Sequence, residues 1–128
     1  MQTDLNSSHK GRYIEEQVAL YLQRQGLKFI EKNFTCKQGE IDLIFQTADI
    51  LVFVEVRYRA KTNFCHPIET IHYSKQKKVI SAAKVFVHWR KWAHTLISRF
   101  DVVSVTGPID NLQFEWIPDA FQVQYPFY

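Results

Sequence analysis

Residues 39–59 read GEIDLIFQTADILVFVEVRYR. Two runs rich in β-branched and aromatic residues flank a short polar break, the pattern of a β-hairpin. Side chains alternate across a strand, so Glu40, Asp42 and Ile44 are expected on one face and Ile41, Leu43 and Phe45 on the other. In the second run Val52, Val54, Val56 and Tyr58 share one face, and Leu51, Phe53, Glu55, Arg57 and Arg59 the opposite one. If Thr47 to Ile50 form the loop, Gln46 pairs with Leu51, and counting back along the ladder sets Asp42 opposite Glu55 and Glu40 opposite Arg57. Like charges facing each other in a ladder are destabilising, and a shared site raises one carboxyl pKa unless a cation or donor neutralises it. A divalent metal is one remedy. On spacing alone two other solutions stay open: a shifted hairpin register, or carboxylates that pair with Arg57 and Arg59 on a solvated face.

Upstream, Arg12 to Gln25 has helical periodicity, with Ile14, Val18, Tyr21 and Leu22 on one side and Gly26 placed as a C-cap. Glu15 falls on the same side as Val18, Ala19 and Leu22, and an acid on an inward stripe needs a partner. A strand follows over Leu27 to Phe34. Downstream, a polar loop from Ala60 to Tyr73 leads to Ser74, the expected N-cap of a second helix from Lys75 to about Ala93. Its inner stripe is Val79, Ala82, Ala83, Phe86 and Ala93, with Trp89 at the edge and Arg90 interrupting the last turn. Phe100 to Thr106 reads as a strand stopped by Gly107-Pro108, and Leu112 to Ile117 as a last edge strand. The order αβββαββ implies an α/β fold with a central mixed sheet flanked by helices.

At 128 residues the chain suits one domain, with residues 1–9 as an arm and 122–128 as a tail. A hydrophobic content of 46% with 15% aromatics excludes intrinsic disorder. The net charge of +3 permits a polyanionic partner without demanding one. The start has the pattern of no secretory signal and no apolar run is long enough for a membrane span, so a cytoplasmic protein without a membrane partner is expected, with Cys36 and Cys65 as reduced thiols.

Three acids, Glu15, Asp42 and Glu55, converging on one point would suit Mg²⁺ or Mn²⁺, which prefer carboxylate and water ligands. Arg57, Arg59 and Lys61 leave the hairpin beside them, and Lys75, Lys77 and Lys78 cluster at the start of the second helix. Those cations suit a phosphate backbone, or else form a solvated helix face. No base-reading helix and no RNA-binding aromatic signature is present, which favours recognition of backbone or structure over sequence.

The segments GEIDLI, FVEVRYR, SKQKK and RFDVV, in this order, resemble the YraN-type family of bacterial proteins over roughly Lys10 to Phe121. More broadly the pattern resembles the restriction-endonuclease-like nucleases, in which an Asp on one strand precedes Glu-x-Lys on the next. The resemblance implies Asp42 and Glu55 as metal ligands and Glu15 as a third acid, acting directly or through water. It also implies Gln76 and Lys77 as helix residues facing the site, so that Glu15, Asp42, Glu55, Arg57 and Gln76 form the catalytic set. By the same resemblance the activity is Mg²⁺- or Mn²⁺-dependent cleavage of DNA, branched or flapped in form, by a chain that homodimerises. One position departs: Arg57 stands where the superfamily has its lysine, and arginine stays protonated and so is no general base. The second function class is therefore a nucleic-acid-binding module of the same fold without turnover.

Overall fold

The structure, a computed structural model, describes residues 7–59 and 71–123; Lys61, Cys65 and His66 fall outside them. Helix α1 (Ser7–Arg24) is followed by β1 (Lys28–Cys36), β2 (Gly39–Thr47), β3 (Ile50–Arg59), α2 (Tyr73–Trp89), a single 3₁₀ turn (Lys91–Ala93), β4 (Ile97–Thr106) and β5 (Gln113–Phe121). The five strands form one sheet in chain order. β3 and β4 run parallel and the other neighbours antiparallel, because only the β3-to-β4 connection crosses over through a helix.

The two helices cover opposite faces. On one, Ile14, Val18 and Leu22 of α1 pack on Leu43, Phe45, Val52, Val54, Val103 and Val105. On the other, Val79, Ala82, Ala83 and Phe86 of α2 pack on Phe34, Ile41, Ile44, Leu51, Phe53, Phe100 and Val102. The alternation read from β3 is therefore realised, and it sends Glu55 toward α2. α1 ends as its glycine predicts: with Gly26 at φ +101°, Leu27 N–H donates to the Leu22 carbonyl and Gly26 N–H to that of Gln23.

Several boundaries differ from the sequence expectation. α1 begins at Ser7, so residues 7–9 belong to the helix and not to an arm; the ammonium of Lys10 lies 4.9 Å from the Tyr58 ring centroid and holds this turn to β3. α2 begins at Tyr73 with His72 as N-cap, two positions before the expected Lys75, because Gln76 donates its side-chain amide to the Ile71 carbonyl at 3.0 Å and holds the helix start without a capping serine. Arg90 leaves helical geometry, with φ −118°, to place its guanidinium 4.7 Å from the Phe86 ring centroid and 2.9 Å from Glu31 Oε1. β5 runs on to Phe121 despite Pro118, through a bulge in which Asp119 takes φ +53° and donates its N–H to buried Asp101.

Ile41 also departs from strict alternation, since it joins Phe34 on the α2 face while Leu43 and Phe45 face α1. The switch falls at Asn33 and Asp42, which lie between the Lys32↔Leu43 and Phe34↔Ile41 pairs, and Asn33 has φ +54°. One left-handed residue turns the β1–β2 ribbon over.

Candidate functional site

The β2–β3 hairpin closes with Thr47 paired to Ile50 and Gln46 to Leu51, so only Ala48 and Asp49 lie in the turn. The register that sets Asp42 beside Glu55 holds down to Leu43↔Val54 and then ends. Beyond it, the Val56 N–H donates 2.8 Å to Asp42 Oδ2, so a side chain substitutes for a ladder carbonyl. Glu40, for the same reason, is not the ladder partner of Arg57; it pairs with Thr35 of β1.

The Asp42 and Glu55 carboxyls lie together, Glu55 buried and Asp42 half-buried. Glu55 is 2% exposed. Its pKa is pushed up to about 8, first by burial and then by the Asp42 charge, while Lys75 and Arg57 work in the opposite sense. Burial likewise raises Asp42, against the Val56 N–H and Lys75. A proton shared between the two carboxyls would relieve their repulsion. Glu55 Oε1 has no hydrogen-bond partner, a rarity for a buried acceptor.

Lys75, at the start of α2, places Nζ 3.6 Å from Glu55 Oε2. Each helical residue advances about 100°, so Lys75 and Gln76 flank the inward line of Val79 while Lys77 falls on the outer side. Gln76, half-buried, donates its side-chain amide to the Ile71 carbonyl, and Lys77 lies exposed over the Tyr73 ring, 5.3 Å from its centroid. Lys78 is exposed on the same outer surface. Arg57 and Arg59, both half-buried, continue along β3 opposite Ser104 and Thr106.

Glu15 comes from α1 on the far side of the sheet, yet Asp42 and Glu40 both act on its charge. The ribbon switch at Asn33 accounts for this, because it leaves Asp42 edge-on between the two faces. Burial first, then those two acids, raise the Glu15 carboxyl to about 7, and a hydrogen bond with Asn33 and the charge of Lys32 oppose them. Glu15, Asp42 and Glu55 are brought into one neighbourhood but not into one shell: among the described residues no three His, Cys, Asp or Glu side chains stand close enough to hold a metal ion.

The donor set nonetheless fits a hard divalent cation. Mg²⁺ is commonly held by one or two carboxylates, with waters and substrate phosphates completing its shell. Two neighbouring carboxyls that repel each other, one of them buried with an orphaned oxygen, are what such an ion would satisfy. Sequence reasoning gave Lys75 a phosphate-tracking role and missed its contact with Glu55; its signal was its place ahead of the inward Val79, one helical turn away.

A mixed five-stranded sheet between two helices, with buried Glu55 beside half-buried Asp42 where β2 and β3 part, defines an α/β protein with a polar site in its sheet layer. The chain belongs to the family described as uncharacterised protein family UPF0102, which matches residues 14–105. A UPF0102 protein of Coxiella burnetii is 42% identical over 87% of this chain and 90% of its own length. Others from Chromohalobacter salexigens and Clostridium perfringens are each 40% identical, covering 91% and 88% of this chain and 93% of their own. Among the described residues no helix is long and apolar enough to cross a membrane.

Proposed function

We propose that the protein is a divalent-cation-dependent endonuclease of restriction-endonuclease-like fold, acting on DNA phosphodiester bonds. The observation that carries the reading is half-buried Asp42 beside buried Glu55, with the unpartnered Glu55 Oε1 and the Lys75 ammonium next to them. Asp42 and Glu55 would bind Mg²⁺ or Mn²⁺, with Glu15 reaching the site through water. When bound, the cation supplies Lewis-acid polarisation of a phosphate oxygen and of a water.

The chain's own residues do the rest. Asp42 is held by the Val56 N–H, so its second oxygen is aimed without rotational freedom. Lys75 reaches from a helix the same acid, Glu55, that Arg57 acts on from the strand. As an ammonium, Lys75 orients the attacking water and offsets charge on the phosphate; the water oxygen bonds to phosphorus as the P–O bond breaks, the water's proton leaves to solvent, and solvent protonates the leaving oxygen. Arg57, permanently charged, clamps a non-bridging phosphate oxygen. Arg59 and Lys61 would follow the backbone away from the scission point.

The test is cleavage of end-labelled duplex, flapped and branched DNA with Mn²⁺ or Mg²⁺. Loss of cleavage in folded Asp42→Ala and in Lys75→Ala is expected, the latter by roughly 100-fold or more. Retained cleavage in Asp42→Ala sinks the reading. A second reading, binding without turnover, is favoured by Arg57 alone; it expects no cleavage by the wild type and DNA affinity indifferent to Asp42→Ala.

A further inference from the structure

α2 presents its outer face to solvent, and two contiguous grooves run along it. The first, about 420 Å³ toward the C-terminal end, is lined by Cys36, Lys37, Gln38, Lys84, His88 and Trp89 among others. The second, of about the same size, lies toward the N-terminal end between Gln38, Tyr73, Ser74, Lys77, Lys78 and Ser81. They meet at Gln38 in the β1–β2 turn. None of these lining residues is an acid, although the chain carries 13 Asp and Glu.

Gly39 brings that turn down onto the helix. A Cβ there would stand 3.0 Å from the Lys78 carbonyl oxygen, so the glycine is what lets Lys37 and Gln38 form the far wall. The helix is about 25 Å long, with an aromatic ring near each end of the grooves. Tyr73 is 57% exposed and Trp89 60%. Trp89 is not loose: its ring meets Phe34 edge-on at 5.9 Å between centroids, and Arg90, following it in the chain, is pinned over Phe34 and Phe86. A fixed, half-bare indole in a groove whose described lining carries lysines and no acid has no folding role that requires its exposure.

We propose that this outer face of α2 binds single-stranded nucleic acid, with the backbone along Lys37, Lys77, Lys78 and Lys84 and a base stacked on Trp89. Stacking platforms interleaved with cations suit a single strand, whose bases are free to leave the backbone, and are sequence-tolerant because every base has a π-face. A duplex hides those faces, and the carboxylate-free lining complements a polyanion along its length. The inference shares with the proposed function only the class of partner; it needs neither metal nor turnover.

The test is tryptophan fluorescence titration with oligothymidylate in EDTA, at several salt concentrations, against duplex DNA and against anionic phosphatidylserine vesicles. Tighter binding of the single strand than of duplex is expected, weakened roughly tenfold by Trp89→Ala and largely kept by Trp89→Phe. Lys37→Ala with Lys78→Ala should lower the log–log salt slope by about 1.4. Affinity unchanged in Trp89→Ala, no oligothymidylate binding at low salt, or Trp89-dependent binding to vesicles alone overturns the proposal. Because EDTA removes the cation, failure here leaves the acid-pair reading standing, and retained cleavage in Asp42→Ala, which sinks that reading, leaves this one standing.

Discussion

Replacing Glu55 by Gln removes a charge the fold resists, so the variant should be more stable than the wild type wherever Glu55 is ionised. In the folded protein the Glu55 pKa is pushed up from 4.5 to about 8. Between those limits the folded state holds a proton that the unfolded chain has released, so stability is fully present below about pH 4.5 and is lost as pH rises through about 8. One pKa unit corresponds to about 1.4 kcal/mol, and the group is buried beyond solvent screening, so the full penalty is roughly 3 to 5 kcal/mol. Gln keeps an N–H to donate to Asp42 and a carbonyl to face Lys75. Thermal unfolding in EDTA by circular dichroism at pH 5 and pH 9 is the assay. The wild type should lose on the order of 10 °C in Tm between the two, and Glu55→Gln should lose much less. Matching slopes for the two proteins would refute the argument that burial and Asp42 hold Glu55 protonated.

Four further outcomes follow from the packing. Asp101 is fully buried and accepts from Arg99 Nε and Nη2, Trp116 Nε1 and Asp119 N, all at 2.9 Å, so Asp101→Ala should cost about 3–5 kcal/mol in urea unfolding by stranding those donors. Phe86→Ala, which empties a fully buried position between Phe34 and Phe53, should cost a similar 3–5 kcal/mol in the same assay. Gly39→Ala should cost about 1–3 kcal/mol, because its Cβ meets Lys78 backbone that cannot move aside as a side chain would. Tyr58→Phe, which removes the 2.8 Å bond from the hydroxyl to the Gly107 carbonyl, should cost about 1 kcal/mol.

The hairpin and its register were legible because burial on both faces of β2 and β3 leaves a one-residue slip no apolar alternative. The facing carboxylates followed from that count. What period-2 reasoning could not deliver was the switch at Asn33, where one left-handed residue carries Ile41 to the other face and lets the Asp42 charge act on Glu15 from across the sheet. Asparagine tolerates that conformation, yet nothing in the local pattern demands it. The role of Lys75 was hidden by the start of α2: a helix begun at Lys75 leaves its first residues unassigned to a face, whereas the real start at Tyr73 turns it inward. Asp101 sits in RFDVV, where an acid among strand residues signals a buried partner, but Trp116 and the Asp119 bulge lie on a strand whose end at Phe121 the proline disguised.

The central claim is that Asp42 and Glu55 form a cation site, and titration calorimetry with Mn²⁺ at pH 8 tests it most directly. The wild type should bind the ion with release of the shared proton, seen as heat that varies with the ionisation enthalpy of the buffer, and a folded Asp42→Asn, Glu55→Gln double variant should show neither. Equal Mn²⁺ binding by the two proteins, or none by the wild type even with DNA present, would contradict it and leave the pair as a proton-sharing element of the fold.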